Sequence, residues 1–437
     1  MRIDHLTINN FHGIKEADYD LHPKATILLG NNATGKSAIL DALAILAGSY
    51  FLGIDGVSSL TIKNDDIRQE VRIEKDGSTR RVYHTPTKLS AKGEVHGNSF
   101  EWSRERRTLA GKTIQAGAKQ IATLAEVNHD DLTRGEKIIR PFLGYYSVAR
   151  LGAQKKETKN QKMALADLRA GYMNALTEES SQWVAERWFA GLQSRAESGL
   201  GEAKPIFEVA KSKLLSLFQR GERPLVDIRH DSEIDEIFVR FDGDDGFIPI
   251  HFLSSGFESV LSMGIDIIYR IYILNPHLGA NAFEQTPGLA LVDETDMHLH
   301  PKWQGHIVED LRDAFPALQF VFTTHSPFVI QSLRQARIID LDINQVRDVG
   351  DHMKKSIPEV AEEFMGIENL ERSPYFMEQV SAAEEYFSLL KSASLTDPNE
   401  LAKAKAKLDS YEIRYNRDPA FIALLRAERN SSILKDN

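Results

Sequence analysis

The chain has 437 residues with 53 basic and 63 acidic side chains, a net charge of −10, 42% hydrophobic and 27% charged residues, and no cysteine. At about 150 residues per domain this is room for two to three globular domains. Disulfide frameworks, cysteine-ligated zinc and cysteine nucleophiles are excluded, and the acidic balance confines any polyanion binding to local patches. Two such patches stand out, Arg104, Arg106 and Arg107 with Lys112 and Lys119, and Lys155, Lys156, Lys159 and Lys162. Ala42 to Ile54 is shorter than the roughly 20 residues that span a bilayer. The N-terminal residues carry Asp4 and His5 where a secretory signal needs an apolar run, so the expected location is the cytoplasm.

The first thirty residues read as strand, turn, strand: Ile3, Leu6 and Ile8, then the break at Asn9 to Gly13, then the apolar Ala25 to Leu29. Ile39, Leu40, Leu43 and Leu46 have helical spacing from Lys36 to Ala47. Between strand and helix lies Gly30-Asn31-Asn32-Ala33-Thr34-Gly35-Lys36-Ser37, a full match to G-x-x-x-x-G-K-[ST]. In that context the backbone N–H groups form a cradle for the α and β phosphates of ATP. Lys36 reaches the β and γ phosphates, and the Ser37 hydroxyl ligates Mg²⁺.

Residues from about 55 to 145 mix short alternating segments with Gly, Pro and charge and predict an antiparallel β subdomain. From about 160 to 220 the spacing of Trp183, Trp188, Phe189 and Leu192 predicts an inserted helical lobe. Strands return at 225–228 and 237–241, followed by a helix over about 257–273, a strand at 289–292, a helix over about 302–314 and a strand at 319–323. The β-α alternation predicts a parallel sheet covered by helices. Residues 1–341 thus form one α/β domain with a mixed sheet, and about 350–437 a separate helical region.

Three further segments carry chemistry. Leu289 to Val292 delivers Asp293 and Glu294 to the carboxyl edge of a sheet, Asp293 to hold the metal through water and Glu294 to align or deprotonate an attacking water. Val321 to Thr323 leads to Thr324-His325-Ser326-Pro327, which places His325 at the same edge, able to donate to a γ phosphate. Leu253-Ser254-Ser255-Gly256 opens a helix whose N-terminus is a second anion site. One chain does not readily bring both helix N-termini to one nucleotide, which points to a second copy. His298, His300 and His306 are read as shaping a loop rather than holding a metal. Asp340 and Asp342 are read as structural.

These four motifs in this order, with Asn9-Asn10-Phe11-His12-Gly13, resemble the ABC-type P-loop ATPase heads of the SMC, RecF and OLD-like group. Asp293-Glu294-Thr295-Asp296-Met297-His298-Leu299-His300-Pro301 with Trp303-Gln304, and the tail motifs Leu370 to Pro374 and Asp418 to Phe421, resemble the PtuA ATPases of Septu anti-phage systems, including the version attached to some retrons. The resemblance implies a head-to-tail dimer, open to further assembly, with two ATP molecules sandwiched. Ser254 and Gly256 of one copy would face the phosphate held by Lys36 of the other, and Asp296 would couple the two sites. It also implies an HNH nuclease subunit as partner, docked on the tail, and in the retron version a reverse transcriptase with its DNA–RNA product. Against the family pattern, Ser255 and Phe257 replace a glycine and a glutamine of the signature loop. No glutamine occupies the expected place near Tyr145 and Tyr146, where Ser147 and Arg150 are the candidates. The roughly 215 residues between Ser37 and Leu253 leave no room for long coiled-coil arms, and no nuclease motif is present in this chain. The competing expectation is a RecF-like repair ATPase with DNA along the basic patches.

Overall fold

The computed structural model describes residues 1–147, 167, 169–177, 182–221, 223–349, 355–366, 381–382, 385–386, 388–389 and 398–414. Arg150, the basic patch at Lys155 to Lys162 and the tail motifs at 370–374 and 418–421 lie outside them. The chain divides into two units, 1–360 and 361–437.

Three strands, not two, occupy the first thirty residues: β1 (Arg2–Phe11), β2 (Ile14–Asp20) and β3 (Ala25–Leu29). His12 and Gly13 turn β1 back onto β2. The pair joins an antiparallel sheet of order β2-β1-β6-β7 with β6 (Thr87–Val95) and β7 (Asn98–Arg106), and the exposed hairpin of β4 (Gln69–Ile73) and β5 (Thr79–Tyr83) stands apart. Strand β6 alternates buried and half-exposed or exposed positions throughout, as a sheet with one solvated face requires.

The region expected to be β through residue 145 also holds a helix, α2 (Lys119–Thr133), and its last strand, β8 (Phe142–Tyr146), belongs to a different sheet. That sheet has the order β15-β14-β3-β13-β12-β8, from β12 (Gly288–Val292), β13 (Leu318–Thr323), β14 (Arg337–Asp340) and β15 (Gln345–Asp348). All pairs are parallel except β14 with β15. Strands β3, β8, β12 and β13 are buried along their whole length, which is why they read as unbroken apolar runs. The sheet's last strand lies beyond the expected boundary at 341.

Helix α1 (Lys36–Ala47) fills the space between the two sheets. Ile39, Leu40 and Leu43 share one core with Ile3, Leu6 and Ile8 of β1 and with Leu28, Leu289 and Val321 of the parallel sheet. Burial on both sides explains why the stretch Lys36–Gly53 is apolar enough to meet the length and composition of a membrane span while 72% of it is buried in the protein.

Strands β9 (Leu225–Asp231), β10 (Glu236–Phe241) and β11 (Ile248–Pro249) form a third, antiparallel sheet, not part of the parallel one. Helices α3 (Gln182–Glu197) and α4 (Ala203–Ser216) pack against α5 (Ser255–Leu274), with Trp188 against Tyr269 and Tyr272. After the short α6 (Ala282–Gln285), the single helix expected at 302–314 is broken into α7 (Pro301–Gln304) and α8 (Ile307–Ala314) at Gly305 and His306. Helix α9 (Pro327–Ser332) follows β13, and α10 (Ile357–Met365) follows β15. In the second unit α11 (Pro398–Arg414) buries Ala404 and Leu408.

The first basic patch is only partly a surface: Arg107, Lys112 and Lys119 are exposed, but Arg104 and Arg106 are not. Arg104 is fully buried and donates to Ser59 Oγ and to the Leu60 carbonyl. Arg106, 9% exposed, donates to the carbonyls of Ile62 and Leu109. On alternate positions of β7 these guanidiniums point inward and tie down the 59–64 segment, a direction that linear charge counting does not register.

A candidate nucleotide site at the sheet edge

Strands β3, β12, β13 and β8 run parallel, so the loops that follow them meet at one carboxyl edge. The loop after β3 carries Gly30 to Ser37. Gly35 takes φ 101°, a left-handed conformation open to glycine, and no side chain caps α1. The first N–H groups of this 12-residue helix are therefore left to bind an anion. Asn31, Asn32, Ala33 and Ser37 are exposed and Thr34 and Gly35 half-buried along the loop. Lys36, 8% exposed, turns back and donates to the carbonyls of Gly30 (2.7 Å) and Asn31 (2.8 Å). Burial lowers its pKa, opposed by the nearby carboxylates of Asp342, Asp293, Glu294 and Asp296.

The serine and the acid that the sequence assigns to a metal are in contact. Ser37 Oγ donates to Asp293 Oδ2 at 2.9 Å, across 256 residues of sequence. The other Asp293 oxygen accepts from Thr323 Oγ1, and that hydroxyl accepts from the Glu294 N–H at 2.7 Å. Thr323, the last residue of β13, thus sets both acids, and sequence reading passed over it. Its signal was a threonine closing an apolar strand. Glu294 is exposed and adopts φ 52°, an unusual backbone for a side chain of its size, which turns it out of the line of β12.

Asp296 accepts from Thr324 Oγ1 (2.6 Å) and from the His325 N–H (3.2 Å). Gln304 donates to the carbonyls of Asp296 and Leu299 and accepts from Ser326 Oγ at 2.6 Å. The segments carrying Glu294, Asp296 and His325 are in this way one hydrogen-bonded unit. Of the histidines, His300 caps α7 by accepting from the Lys302 N–H, and His306 pairs with Asp310. Among the described residues no group of three or more His, Asp or Glu side chains has the geometry of a metal site.

At the start of α5, Ser254 and Ser255 are exposed, and Ser254 accepts from the Phe257 N–H. Gly256 is buried against its own chain: a Cβ there would lie 2.3 Å from the His298 carbonyl oxygen. Phe257 stacks on Phe218 at 4.2 Å and touches Phe241 and Trp303. The phenylalanine that departs from the signature pattern is an anchor for the helix. A cleft of about 320 Å³ separates the first turns of α5 from Asp293 and Glu294. Tyr146 borders it, its carbonyl accepting from the Asp293 N–H and its hydroxyl donating to Asp266 on α5. Ser147 follows directly at the same edge.

Residues 5–195 match a family described as an AAA domain, and residues 195–331 one described as an AAA domain, putative AbiEii toxin, Type IV TA system. The chain is 25% identical over 361 residues to the Retron Vc95 probable ATPase of Vibrio cholerae serotype O1 biovar El Tor, covering 72% of this chain and 68% of that one. It is 26% identical over 420 residues to the Septu protein PtuA of Bacillus mycoides strain KBAB4, covering 93% of this chain and 49% of that one, so it spans about half the length of that relative. A shorter match, 45% identical over 47 residues, is to the DNA replication and repair protein RecF of Lactobacillus acidophilus, covering 11% of this chain and 12% of that one.

Proposed function

We propose, for a chain that is an ABC-type P-loop ATPase of the SMC, RecF and OLD-like group, that it binds and slowly hydrolyses Mg-ATP as the regulatory subunit of a bacterial antiviral complex in which a separate HNH nuclease does the cutting. The observation that carries the ATPase part is the 2.9 Å bond from Ser37 to Asp293, with Glu294 next in the chain. The Septu and retron ATPases it resembles along most of its length carry the defence part.

In this reading the loop N–H groups and the N-terminus of α1 hold the phosphate chain. Lys36 leaves the Gly30 and Asn31 carbonyls for the β and γ phosphates, exchanging two neutral acceptors for charged oxygens. Ser37 and Asp293 would hold Mg²⁺, which when bound would supply positive charge against the phosphates. Glu294 orients the attacking water or takes its proton, and His325 donates to the γ phosphate. Ser254 and Ser255 of a second copy close the site, in a head-to-tail dimer, with Gly256 setting the position of their helix. The hydrogen-bonded unit of Asp296, Gln304 and His325 would report the loss of the γ phosphate to that dimer face.

The test is affinity purification of the Glu294→Gln chain from its native operon in Mg-ATP, with mass spectrometry and nucleic-acid analysis of what accompanies it. A stoichiometric HNH protein is expected, with DNA-linked RNA added in a retron system. Genomic DNA without a protein partner would favour the RecF-like reading, to which the short RecF match points. That reading has lost Arg104 and Arg106 as contacts, since both are internal.

A further inference from the structure

Strand β14, beside β3, ends at Asp340 and is followed by Leu341 and Asp342, and the register of the strand pair carries Asp340 to Leu29, the last residue before the phosphate loop. The Leu341 N–H donates to the Leu29 carbonyl at 2.9 Å, and Asp340 accepts from the Asp342 N–H at 3.1 Å. The exposed Asp342 carboxylate is thereby set against the loop, where both its oxygens accept from the Asn31 N–H, at 2.9 and 3.2 Å. The Asn31 N–H and the Gly30 carbonyl belong to one peptide group, and the Gly30 carbonyl holds the Lys36 ammonium at 2.7 Å. A carboxylate thus lies at the positive end of one peptide dipole and an ammonium at its negative end. Each charge polarises the group in the sense that strengthens the other's bond. On its other side the Asn31 carbonyl gathers Lys36 Nζ (2.8 Å) and Thr34 Oγ1 (3.0 Å).

We infer that Asp342 is a positioning residue that holds Lys36 in its retracted place through the Gly30–Asn31 peptide, so that nucleotide binding must overcome this hold before Lys36 can reach a phosphate. The inference rests on the reading of Gly30 to Ser37 as a nucleotide site, and assigns that site a built-in resistance to occupation. Asp342 is the carboxylate whose oxygens contact the peptide group that holds Lys36. Its negative charge also opposes an incoming triphosphate, whereas Asp293 would have its charge met by the cation.

The test is titration of the full chain with a fluorescent ATP analogue, with and without Mg²⁺, comparing wild type, Asp342→Asn, Asp342→Ala and Lys36→Ala at low and high salt. Asp342→Asn keeps an oxygen for the Asn31 N–H and removes the charge. It is expected to bind the analogue roughly threefold or more tighter at low ionic strength, with the gain shrinking at about 1 M salt as screening sets in. A purely structural role predicts the opposite sign for Asp342→Ala and no change for Asp342→Asn. Unchanged or weaker binding by Asp342→Asn, with wild type binding and Lys36→Ala not, overturns this inference alone. Equal binding by Lys36→Ala and wild type, or none by wild type, overturns the nucleotide reading and this inference with it.

Discussion

Lys36 and Glu294 separate binding from turnover. Lys36→Ala should abolish binding of a fluorescent ATP analogue, while Glu294→Gln should bind it and release phosphate at a rate lower by on the order of a hundredfold or more. Phosphate release by Glu294→Gln at the wild-type rate would remove Glu294 from the chemistry. One turn along α1 from Ser37, Asp41 is raised from 3.8 to about 6, mainly by burial, with His12 and a hydrogen bond from Tyr145 pulling the other way and Asp66 and Asp293 adding to the rise. The folded chain therefore holds a proton there that the unfolded chain has lost between those two values, and stability falls as pH rises through that window. The side chain is 42% exposed, so solvent screening keeps the effect small. Asp41→Asn should raise the unfolding midpoint relative to wild type at pH 7.5 and leave it unchanged near pH 3.5, measured by denaturant titration at both.

At the level of elements, α5 is held to the segment after Asp296 by a contact that tolerates no side chain. Gly256→Ala would put a methyl 2.3 Å from the His298 carbonyl oxygen, and the backbone of neither partner can yield cheaply. A loss on the order of 1–3 kcal/mol is expected from chemical denaturation, along with displacement of Ser254 and Ser255 from the proposed dimer face. Strand β7 gives a different prediction. Arg104 is buried with its hydrogen bonds going to Ser59 and Leu60, and burial brings its pKa down to about 10. Arg104→Ala should destabilise the chain by on the order of 2–4 kcal/mol by unsatisfying buried acceptors. A loss of salt-sensitive DNA binding with unchanged unfolding would restore it as a surface contact. Strand pairing follows the same logic. Alternation identified the β subdomain, but apolar runs of five residues do not say which strands they pair with, so β8 was assigned by proximity in sequence to the wrong sheet.

For the whole molecule, the chain divides at residue 360, and Gly30 to Ser37, Asp293, Glu294 and His325 all belong to the first unit. Removing residues after 350 should leave ATP binding intact and release the proposed nuclease partner in co-purification; retention of that partner would move the proposed docking surface to the first unit. What sequence alone determined was local. The phosphate loop, the Asp293-Glu294 strand end, the His325 turn and the opening of α5 are each a run of neighbours whose backbone conformation and chemistry are written in consecutive residues, between apolar strands that bury themselves wherever they pair. What only the tertiary structure decided was which residues meet across the chain: Ser37 with Asp293, Thr323 between two acids, Asp342 on the phosphate loop from 311 positions away, Gly256 against His298, and Arg104 turned inward. These depend on strand order and side-chain direction, and both emerge from simultaneous packing of α1 between two sheets, which no window of sequence contains.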